Sequence, residues 1–353
     1  MLNRKHDILI VGQGLAGTVL SGLMLKAGIA HRVVDNHHHA AATKAAAGLI
    51  NPVTGRSYVK SWMIEELLPS ARALYRFFEE LLHIELVTEM PVLRTLPTPA
   101  HINKWHSSVS RPGYDAFIED KLDSYQYDDI LIERKKYGVI KNSCQVDISG
   151  LIEKYQGYLV DRGILEFDKF DFSQLRSSST SVTYKSREYE AVVFCEGYQA
   201  IYNPFFKNLP FQPAKGEAFE IEIEGFNSNQ ILRDEIFIVP LPNKLFWSGG
   251  SYIWNFEDHH PTEKWRWNWT AKLDELIDRN YIIHSHKAGI RPSVKGRRPL
   301  AGRHHSNSNI YIFNGLGTKG TSLAPYWAEQ FIESYFIKNE EIDDAVNINR
   351  FEY

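Results

Sequence analysis

The feature that most constrains the fold is the segment Gly12-Gln13-Gly14-Leu15-Ala16-Gly17, near the start of the chain. The apolar run Ile8–Val11 leads into it and predicts a buried strand, and a leucine-rich helical pattern follows as far as Gly28. In such a junction the first glycine allows a tight turn, the second lets the backbone approach a pyrophosphate, and the third lets the helix pack against the strand. The helix N-terminus then favours the negative charge of the pyrophosphate. Asp35 ends the next predicted strand, where a carboxylate can hydrogen-bond a ribose hydroxyl. The segment therefore predicts a dinucleotide-binding site.

The same stretch has a second interpretation. Residues 8–25 carry no charge and follow a basic N-terminal stretch, a pattern typical of a signal anchor or membrane helix. The glycine spacing and Asp35 favour the dinucleotide site instead. Elsewhere no apolar run is long enough to span a bilayer, so no membrane partner is expected. Because Cys144 and Cys195 are the only cysteines, a disulfide scaffold is excluded and we expect a cytoplasmic protein.

Size and charge narrow the class further. With 353 residues and 43% hydrophobic content, the chain is long enough for a large core and predicts two domains. Its formal net charge of −3 gives no overall basic field of the kind that indicates nucleic acid. Three consecutive histidines, residues 37–39, do not share one face of any regular element. We interpret them as a loop and predict no metal site.

A second strand–glycine–helix junction lies near the end of the chain. Ile310–Phe313 predicts a strand, Gly315–Gly320 is rich in glycine, and a helix is predicted from Thr321. A simple nicotinamide enzyme places its βαβ units contiguously and needs no second junction of this kind. A longer cofactor would use both ends of the chain. The two junctions therefore favour a flavin dinucleotide, FAD.

With these residues in view, the sequence resembles the D-amino-acid oxidase family of FAD-dependent oxidoreductases. That family includes glycine and sarcosine oxidases and the oxidase half of a tRNA wobble-uridine modification enzyme. Each motif is loose by itself, but their order and spacing are specific and span nearly the whole chain. The motifs are Gly12–Gly17 with Asp35, Ala47-Gly48-Leu49, Val192–Gly197, Gly289-Ile290-Arg291-Pro292, Pro299–Gly302, and Gly315–Gly320 with Leu323-Ala324-Pro325.

The resemblance implies an α/β fold. A Rossmann-like FAD-binding domain of the glutathione-reductase type would be interrupted by an antiparallel β-sheet substrate domain. We assign residues 1–88, 143–210 and 287–353 to the FAD-binding domain, and residues 89–142 and 211–286 to the substrate-binding domain.

The resemblance also implies which residues hold the cofactor. The first glycine segment would hold the pyrophosphate and Asp35 the adenosine ribose, while Ala46, Ala47 and Gly48 would line the flavin. Val146 would approach the adenine, and the last helix would direct its N-terminus at the flavin N1–C2 carbonyl edge. The full set of implied cofactor residues is Gly12, Gly14, Leu15, Ala16, Gly17, Asp35, Ala46, Ala47, Gly48, Val146, Gly197, Gly315, Gly317, Thr318, Lys319, Gly320 and Thr321.

The implied substrate site centres on Arg291, which matches the family arginine that binds a substrate carboxylate. A guanidinium group suits this role because it binds carboxylate bidentately and keeps its charge. Lys319 stands where relatives often carry arginine and would add a positive charge beside the flavin. Tyr252 is the third candidate catalytic residue, and Trp247 and His259 are weaker candidates for the substrate wall.

One departure from the family pattern concerns charge. Many relatives carry an aspartate where Gly296 stands, and residues 287–305 contain six lysines and arginines with no acid. A solvated basic face explains this tract most simply, but an additional anionic group on the substrate, or a polyanion, also fits it. The pattern argues against a plain small neutral amino acid as the substrate.

We therefore predict an FAD-dependent oxidoreductase that oxidises the C–N bond of an amine or amino acid carrying a carboxylate, by hydride transfer to flavin N5. The protein supplies position and electrostatics, so no side-chain general base is required. Two alternatives remain. One is an oxidase acting on a carboxymethylaminomethyl-modified tRNA wobble uridine, which the segment Ala47–Trp62 resembles but the net charge disfavours. The other is a flavoprotein without turnover.

Overall fold

A computed structural model describes residues 7–37, 40–119, 126–133 and 135–352. The α-helices in these residues are α1 Leu15–Lys26, α2 Ile64–Leu82, α3 Pro99–Val109, α4 Ile148–Asp161, α5 Glu263–Asp274 and α6 Gly320–Ile332, which a π-helical segment, Glu333–Lys338, continues. The strands are β1 Asp7–Val11, β2 Ala30–Asp35, β3 Leu49–Ile50, β4 Val53–Thr54, β5 Val59–Lys60, β6 Val87–Glu89, β7 Val92–Thr95, β8 Ile118–Glu119, β9 Tyr137–Ile140, β10 Cys144–Val146, β11 Leu165–Phe167, β12 Leu175–Ser177, β13 Val182–Tyr184, β14 Arg187–Tyr189, β15 Ala191–Phe194, β16 Ala214–Ile223, β17 Ile231–Arg233, β18 Phe237–Pro240, β19 Leu245–Gly249, β20 Tyr281–Arg291, β21 Leu300–His304 and β22 Asn307–Asn314.

A six-stranded sheet carries both glycine junctions. Its strand order is β11-β2-β1-β15-β22-β21, with all neighbours parallel except β21 and β22. The predicted strands at the N-terminus, at residues 191–194 and at residues 310–313 are confirmed as β1, β15 and β22. They are buried on both faces, as parallel sheets covered by helices are. Their carboxyl ends lie at one edge of the sheet, where open α/β sheets bind ligands.

An eight-stranded sheet forms the second layer, with the order β20-β16-β19-β18-β17-β7-β9-β8. Its neighbours are antiparallel except β17 and β7, which run parallel. The predicted alternation of Phe219, Ile221 and Ile223 is confirmed, since all three side chains are buried. They pack with Trp265 and Trp269 of α5 in a core on one face of the sheet. The opposite face is free to line a site.

Three helices differ from what the local sequence indicates. Pro69 lies inside α2 and does not end it, because Pro69 is exposed and water can satisfy the carbonyl of Glu65 that loses its bond. The proline-rich region at residues 90–142 contains α3, and Pro99 begins that helix after the Thr98 cap. Helix α5 ends at Asp274, and Asp278 then donates its N–H to the Ile130 carbonyl oxygen.

The two large sheets draw on different parts of the chain. Strands of the six-stranded sheet come from residues 7–35, 165–194 and 300–314, and those of the eight-stranded sheet come from residues 92–140 and 214–291. Strand β20 runs without a break across residues 286 and 287, where the sequence analysis placed a boundary between the two domains. The domain boundaries remain a prediction. Among the helices in the described part of the chain, none is long and apolar enough to cross a membrane.

Candidate active site

The two glycine junctions, from opposite ends of the chain, line one cavity of about 1990 Å³. They also touch each other: a Cβ atom added to Gly320 would lie 3.0 Å from Cδ2 of Leu15, and α1 packs against α6. The cavity exceeds the usual volume for a drug-sized ligand, roughly 300–1,000 Å³. It therefore has room for a long cofactor together with a substrate.

The three glycines of the first junction have distinct local geometry. Gly12 has a φ of +100°, and a Cβ atom there would lie 2.6 Å from the Cys195 carbonyl oxygen. At Gly17 a Cβ atom would lie 1.8 Å from the Gly12 carbonyl oxygen, so this glycine is needed for helix and strand to pack. Gly14 begins α1 as its N-cap, and a Cβ atom there would meet nothing within 4 Å. The backbone at Gly14 therefore faces open cavity space.

Asp35 lies at the end of β2 and braces this junction. Its carboxylate accepts the backbone N–H of Gln13 at 2.7 Å and that of His37 at 2.7 Å. Asp35 also lines the cavity, together with Leu15 and Ala16 at the start of α1. Of the three consecutive histidines, His38 and His39 lie outside the described residues. In the described part of the chain, no cluster of histidine, cysteine and acidic side chains could hold a metal ion.

The end of the cavity beside Asp35 has an apolar wall that the sequence interpretation missed. Phe170 and Phe172 line it, and the N–H of Asp168 in the same segment donates to the Asp35 carbonyl oxygen at 3.0 Å. Val146, which the resemblance placed beside the adenine, is not part of the cavity wall and is fully buried. Its side chain packs in the core because β10 lies between β3 and β6. The place of Val146 beside the adenine stays a prediction, and its side chain does not line the cavity.

The small-residue loop Ala46-Ala47-Gly48 lines the cavity. Gly48 has a φ of +69°, and a Cβ atom there would lie 1.8 Å from the Val146 carbonyl oxygen. The Val146 N–H donates to the Gly48 carbonyl at 3.0 Å. Val146 thus supports the loop from behind and holds it against the cavity.

The second junction is held to β15 by a side chain. Asn314, at the end of β22, donates its Nδ2 to the carbonyl oxygen of Gly197 at 2.9 Å, and its Oδ1 accepts the N–H of Gly315 at 2.8 Å. Both Gly315 and Gly317 have positive φ angles. Gly197 and the residues from Gly315 through Thr321, including Thr318, line the cavity at the N-terminus of α6.

Lys319 is the N-cap residue of α6, and its ammonium group points to hydroxyls. Its Nζ donates to Ser61 Oγ at 3.0 Å and to Thr54 Oγ1 at 3.4 Å. Burial lowers the pKa of Lys319, and the neighbouring positive charges of Arg298 and Arg297 lower the pKa further. Within the described residues no carboxylate lies within 4 Å of this lysine, so its charge is uncompensated by the protein.

Arg291 ends β20, and its side chain lies across β16. The guanidinium is so close to Gly216 that a Cβ atom there would lie 2.1 Å from Nη2 and 2.4 Å from Cζ. Nη1 donates to the Ser251 carbonyl oxygen at 2.7 Å, and the Tyr252 ring lies 4.9 Å from Cζ. Burial lowers the pKa of Arg291, although the Tyr252 side chain acts in the opposite direction. The structure thus brings Arg291 and Tyr252 together in the cavity wall, and their roles toward the substrate stay predictions.

The two weaker candidates for the substrate wall, Trp247 and His259, lie in different places. Trp247 lines the cavity and donates its Nε1 to the Ala45 carbonyl oxygen at 3.1 Å, which joins the substrate-side sheet to the small-residue loop. His259 does not line this cavity. It lies in a separate depression with His260 and His286, so its predicted place in the substrate wall is wrong.

The basic tract at residues 287–305 does not form one face. Lys287 pairs with Glu220 on the eight-stranded sheet, and Arg303 pairs with Glu341 at 3.0 Å. Arg298 stacks over the Trp62 ring with its Cζ 3.8 Å from the centroid, and Arg291, Arg297 and Arg298 line the cavity. Two of the six charges are therefore neutralised locally, and three others point to the cavity.

One half-buried acid at the cavity was also missed. Glu196 follows β15 beside the Gly12 turn, and its Oε2 accepts a hydrogen bond from Asn203 Nδ2 at 2.6 Å. Burial raises the pKa of Glu196 to about 7, and the bond from Asn203 only partly opposes this. No cation pairs with Glu196 within the described residues. The sequence signal that could have identified Glu196 is an acidic residue just after an apolar strand.

These features define a class of protein. A parallel sheet with glycine junctions at both ends of the chain, an α-helix N-terminus beside a cationic wall, and an arginine over a second sheet fit a flavin dinucleotide-dependent oxidoreductase. The open space at Gly14 and the length of the cavity fit the pyrophosphate and the full reach of FAD.

Comparison with known proteins gives the family. Residues 7–333 match the model of the DAO family, described as FAD dependent oxidoreductase. The chain therefore belongs to this family, its cofactor is FAD, and the predicted fold class is confirmed.

Several solved structures share the fold. Iminodiacetate oxidase from Chelativorans is 19% identical, with 95% of this chain and 96% of that chain covered and a TM-score of 0.75. Glycine oxidase from Geobacillus kaustophilus is 18% identical, with 99% and 100% covered and a TM-score of 0.76. L-amino acid deaminase from Proteus vulgaris, in a form lacking its specific insertion, is 14% identical, with 99% and 95% covered and a TM-score of 0.76.

Proposed function

We propose that this FAD-dependent oxidoreductase oxidises the C–N bond of an amine or amino acid that carries a carboxylate. The observation that carries the proposal is the position of Arg291. Its guanidinium lies in the cavity wall over Gly216, without an ion pair among the described residues. A partly buried guanidinium without a counterion favours a ligand carboxylate, which it can bind bidentately. Such a substrate agrees with the names of three proteins that share the fold: an iminodiacetate oxidase, a glycine oxidase and an amino acid deaminase.

The cofactor would be held by residues from both ends of the chain. We propose that the backbone at Gly14, Leu15 and Ala16 receives the pyrophosphate at the start of α1 and that Asp35 receives the ribose. Phe170 and Phe172 would cover the adenine end, which Val146 is predicted to approach from behind the small-residue loop. The Ala46-Ala47-Gly48 loop and the segment from Gly315 to Thr321 would enclose the flavin end. These assignments rest on cavity lining and on the free N–H groups at the two helix starts.

When bound, the flavin accepts the hydride that leaves the substrate carbon. The chain supplies position and electrostatics. Lys319 and the N-terminus of α6 would place positive charge beside the flavin, where it would stabilise the electron density that the ring gains. Arg291 holds the substrate carboxylate, and Tyr252 and Trp247 limit how the substrate can turn. Among the described residues we assign no general base, because an amine that enters in its neutral form can lose hydride without one.

The test is reduction of the purified holoprotein without oxygen. Amines with a carboxylate, such as glycine, sarcosine and racemic amino acids, should bleach the flavin absorbance, while the matched amines without a carboxylate should be much slower. Absence of bleaching with every carboxylated amine would contradict the proposal. The net charge of −3 and the pairing of two cations of the basic tract with carboxylates disfavour a tRNA substrate.

A further inference from the structure

The face of the eight-stranded sheet that lines the cavity carries positive charge at two separate places. Arg291 lies over Gly216 on β16. Arg94 on β7 and Arg233 on β17 are directly paired in the parallel register, so their side chains leave the same face. Both line the same cavity as Arg291. None of the three has a carboxylate within 4 Å among the described residues.

The strand register shows that these charges share one face. Arg233 pairs with Phe237, Phe237 with Gly249, and Gly249 with Ala218. Ala218 is two residues from Gly216 on β16, and residues two apart point to the same side. Large apolar side chains from the intervening positions pack on the other face with α5. The small residues Gly249 and Ala218 lie between the two cationic places, and the Trp247 indole covers Gly249, where a Cβ atom would lie 2.6 Å from Cζ2.

The distance between the two places follows from the strand order. The Arg233 guanidinium lies 4.4 Å from the centroid of the Phe237 ring on β18, and the Arg291 guanidinium lies over β16. Strands β18 and β16 are separated by β19 alone. Neighbouring strands lie about 4.8 Å apart, and Gly216 is two residues, or about 6.8 Å, along β16 from the position in register with Phe237, so the two cationic places are roughly 12 Å apart along the sheet. One small molecule can bridge such a span.

The Arg94–Arg233 pair is incompletely satisfied by the protein. Arg94 Nη1 donates to the Asp234 carbonyl oxygen at 3.1 Å, and Arg233 Nη1 donates to the carbonyls of Asp234 and Glu235. Nη2 of both arginines makes no hydrogen bond among the described residues. These two groups are donors that a ligand oxygen could use, and the Tyr58 ring lies 6.0 Å from the Arg94 Cζ.

The nearby acids do not cancel this charge. The Asp234 carboxylate accepts a hydrogen bond from Thr95 Oγ1, and Glu235 pairs with Lys272 at 3.1 Å. The place therefore holds three cations against two carboxylates. Two adjacent arginines, both partly buried, are unfavourable without a further anion nearby.

We propose that Arg94 and Arg233 form a second anion subsite, and that the substrate is a dicarboxylic amine or amino acid. Arg291 holds one carboxylate and the Arg94–Arg233 pair holds the other. This proposal rests on the proposed function for the role of Arg291, but it concerns binding and can be tested without turnover.

The first test uses the unmodified holoprotein and carboxylic acids without an amine. Glutarate should perturb the flavin absorbance and raise the thermal midpoint at concentrations at least tenfold below those needed for valerate, which lacks the second carboxylate. Equal binding of the two acids, or binding of neither, would overturn the subsite. If monocarboxylic amines still reduce the flavin in that case, the proposed oxidation of carboxylated amines is supported and only the second subsite is refuted.

The second test uses variants. Arg94→Gln and Arg233→Gln should each weaken glutarate binding by roughly tenfold or more while valerate binding stays within about twofold, because only the second carboxylate loses a charged partner. The corresponding lysine variants should recover part of the loss. Arg266→Gln is the matched control, since Arg266 lies over Phe219 on the opposite face of the same sheet. Equal effects of Arg266→Gln and Arg233→Gln on glutarate would refute the subsite.

Discussion

The guanidinium of Arg291 lies directly against the α-carbon side of Gly216, where a Cβ atom would approach Nη2 to 2.1 Å. The two residues belong to neighbouring strands, β20 and β16, and Arg291 crosses from its own strand to rest on the glycine. A side chain at residue 216 would therefore displace the end of a flexible arginine before it displaced the backbone. Gly216 positions Arg291.

We expect Gly216→Ala to fold and to keep its FAD but to lose roughly 10- to 100-fold in kcat/KM for carboxylated amines. The reason is that a displacement of about 1 Å in a positioning group can cost two orders of magnitude. Steady-state kinetics with a carboxylated amine and its decarboxylated analogue would measure this, and the analogue should be affected little. Gly157→Ala is the control, because a Cβ atom there meets nothing within 4 Å on α4. A Gly216→Ala enzyme with unchanged kinetics would contradict the positioning role.

Gly14→Val should prevent FAD binding while the protein still folds. A Cβ atom at Gly14 meets nothing within 4 Å of protein, so the branched side chain would occupy cavity space needed for the pyrophosphate. Gly17→Val should instead impair folding, because its Cβ atom would lie 1.8 Å from the Gly12 carbonyl. Flavin content per chain and circular dichroism of the two purified variants would separate these outcomes. Full flavin content in Gly14→Val would show that the pyrophosphate lies elsewhere.

Arg291→Met should retain a normal flavin spectrum and lose activity toward carboxylated amines. Leaving a partly desolvated carboxylate without its charged partner costs roughly 3–5 kcal/mol. At about 1.4 kcal/mol per tenfold, this corresponds to a loss of order 10² to 10³ or more in kcat/KM. Stopped-flow reduction without oxygen would measure it, with the decarboxylated amine as the internal control. Rates within a few-fold of the unmodified enzyme would mean that Arg291 is not the carboxylate ligand.

Glu196 should make stability depend on pH. Burial raises the pKa of this carboxyl from about 4.5 to about 7 in the folded protein, so between these values the folded state binds more protons than the unfolded state. The folded state therefore loses stability as the pH rises from 4.5 through 7, by roughly 3 kcal/mol, and loses no more above that range.

The measurement is urea unfolding at pH 5 and pH 8 in one cofactor state. Relative to the unmodified protein, Glu196→Gln should reduce the loss of unfolding free energy between the two pH values. Glu153→Gln offers a control, since Glu153 also lines the cavity but lies on the helical surface of α4. If Glu196→Gln leaves the pH dependence unchanged, the carboxyl titrates normally.

Much of the FAD site was predictable because it is built from local rules. Each junction consists of an apolar strand, glycines at positions that need positive φ or close approach, and a helix, and all of these are contiguous in sequence. Gly12 and Gly17 occupy the tight positions expected of them, and the close approach of Gly48 to Val146 was not predicted. The place of Val146 does not follow from such local rules, because an apolar residue in a short strand gives the same pattern whether it faces a ligand or the core.

On the substrate side of the cavity, sequence patterns did not predict which charged residues lie next to each other. Arg94 and Arg233 are single cations in short apolar strands, and only the parallel pairing of β7 with β17 brings them together. The basic tract looked continuous, yet Glu220 and Glu341, from distant segments, pair with two of its members.

The sequence by itself determined the cofactor class, the two junctions and the alternation of the sheet strands, since these depend on residues within one or two turns or strands of each other. Only the tertiary structure decided which charges meet in the cavity and which are neutralised. The physical reason is that burial of the whole core sets the strand order and register. Whether a charged side chain is paired within the protein or left available to a ligand therefore depends on residues that lie far away along the chain.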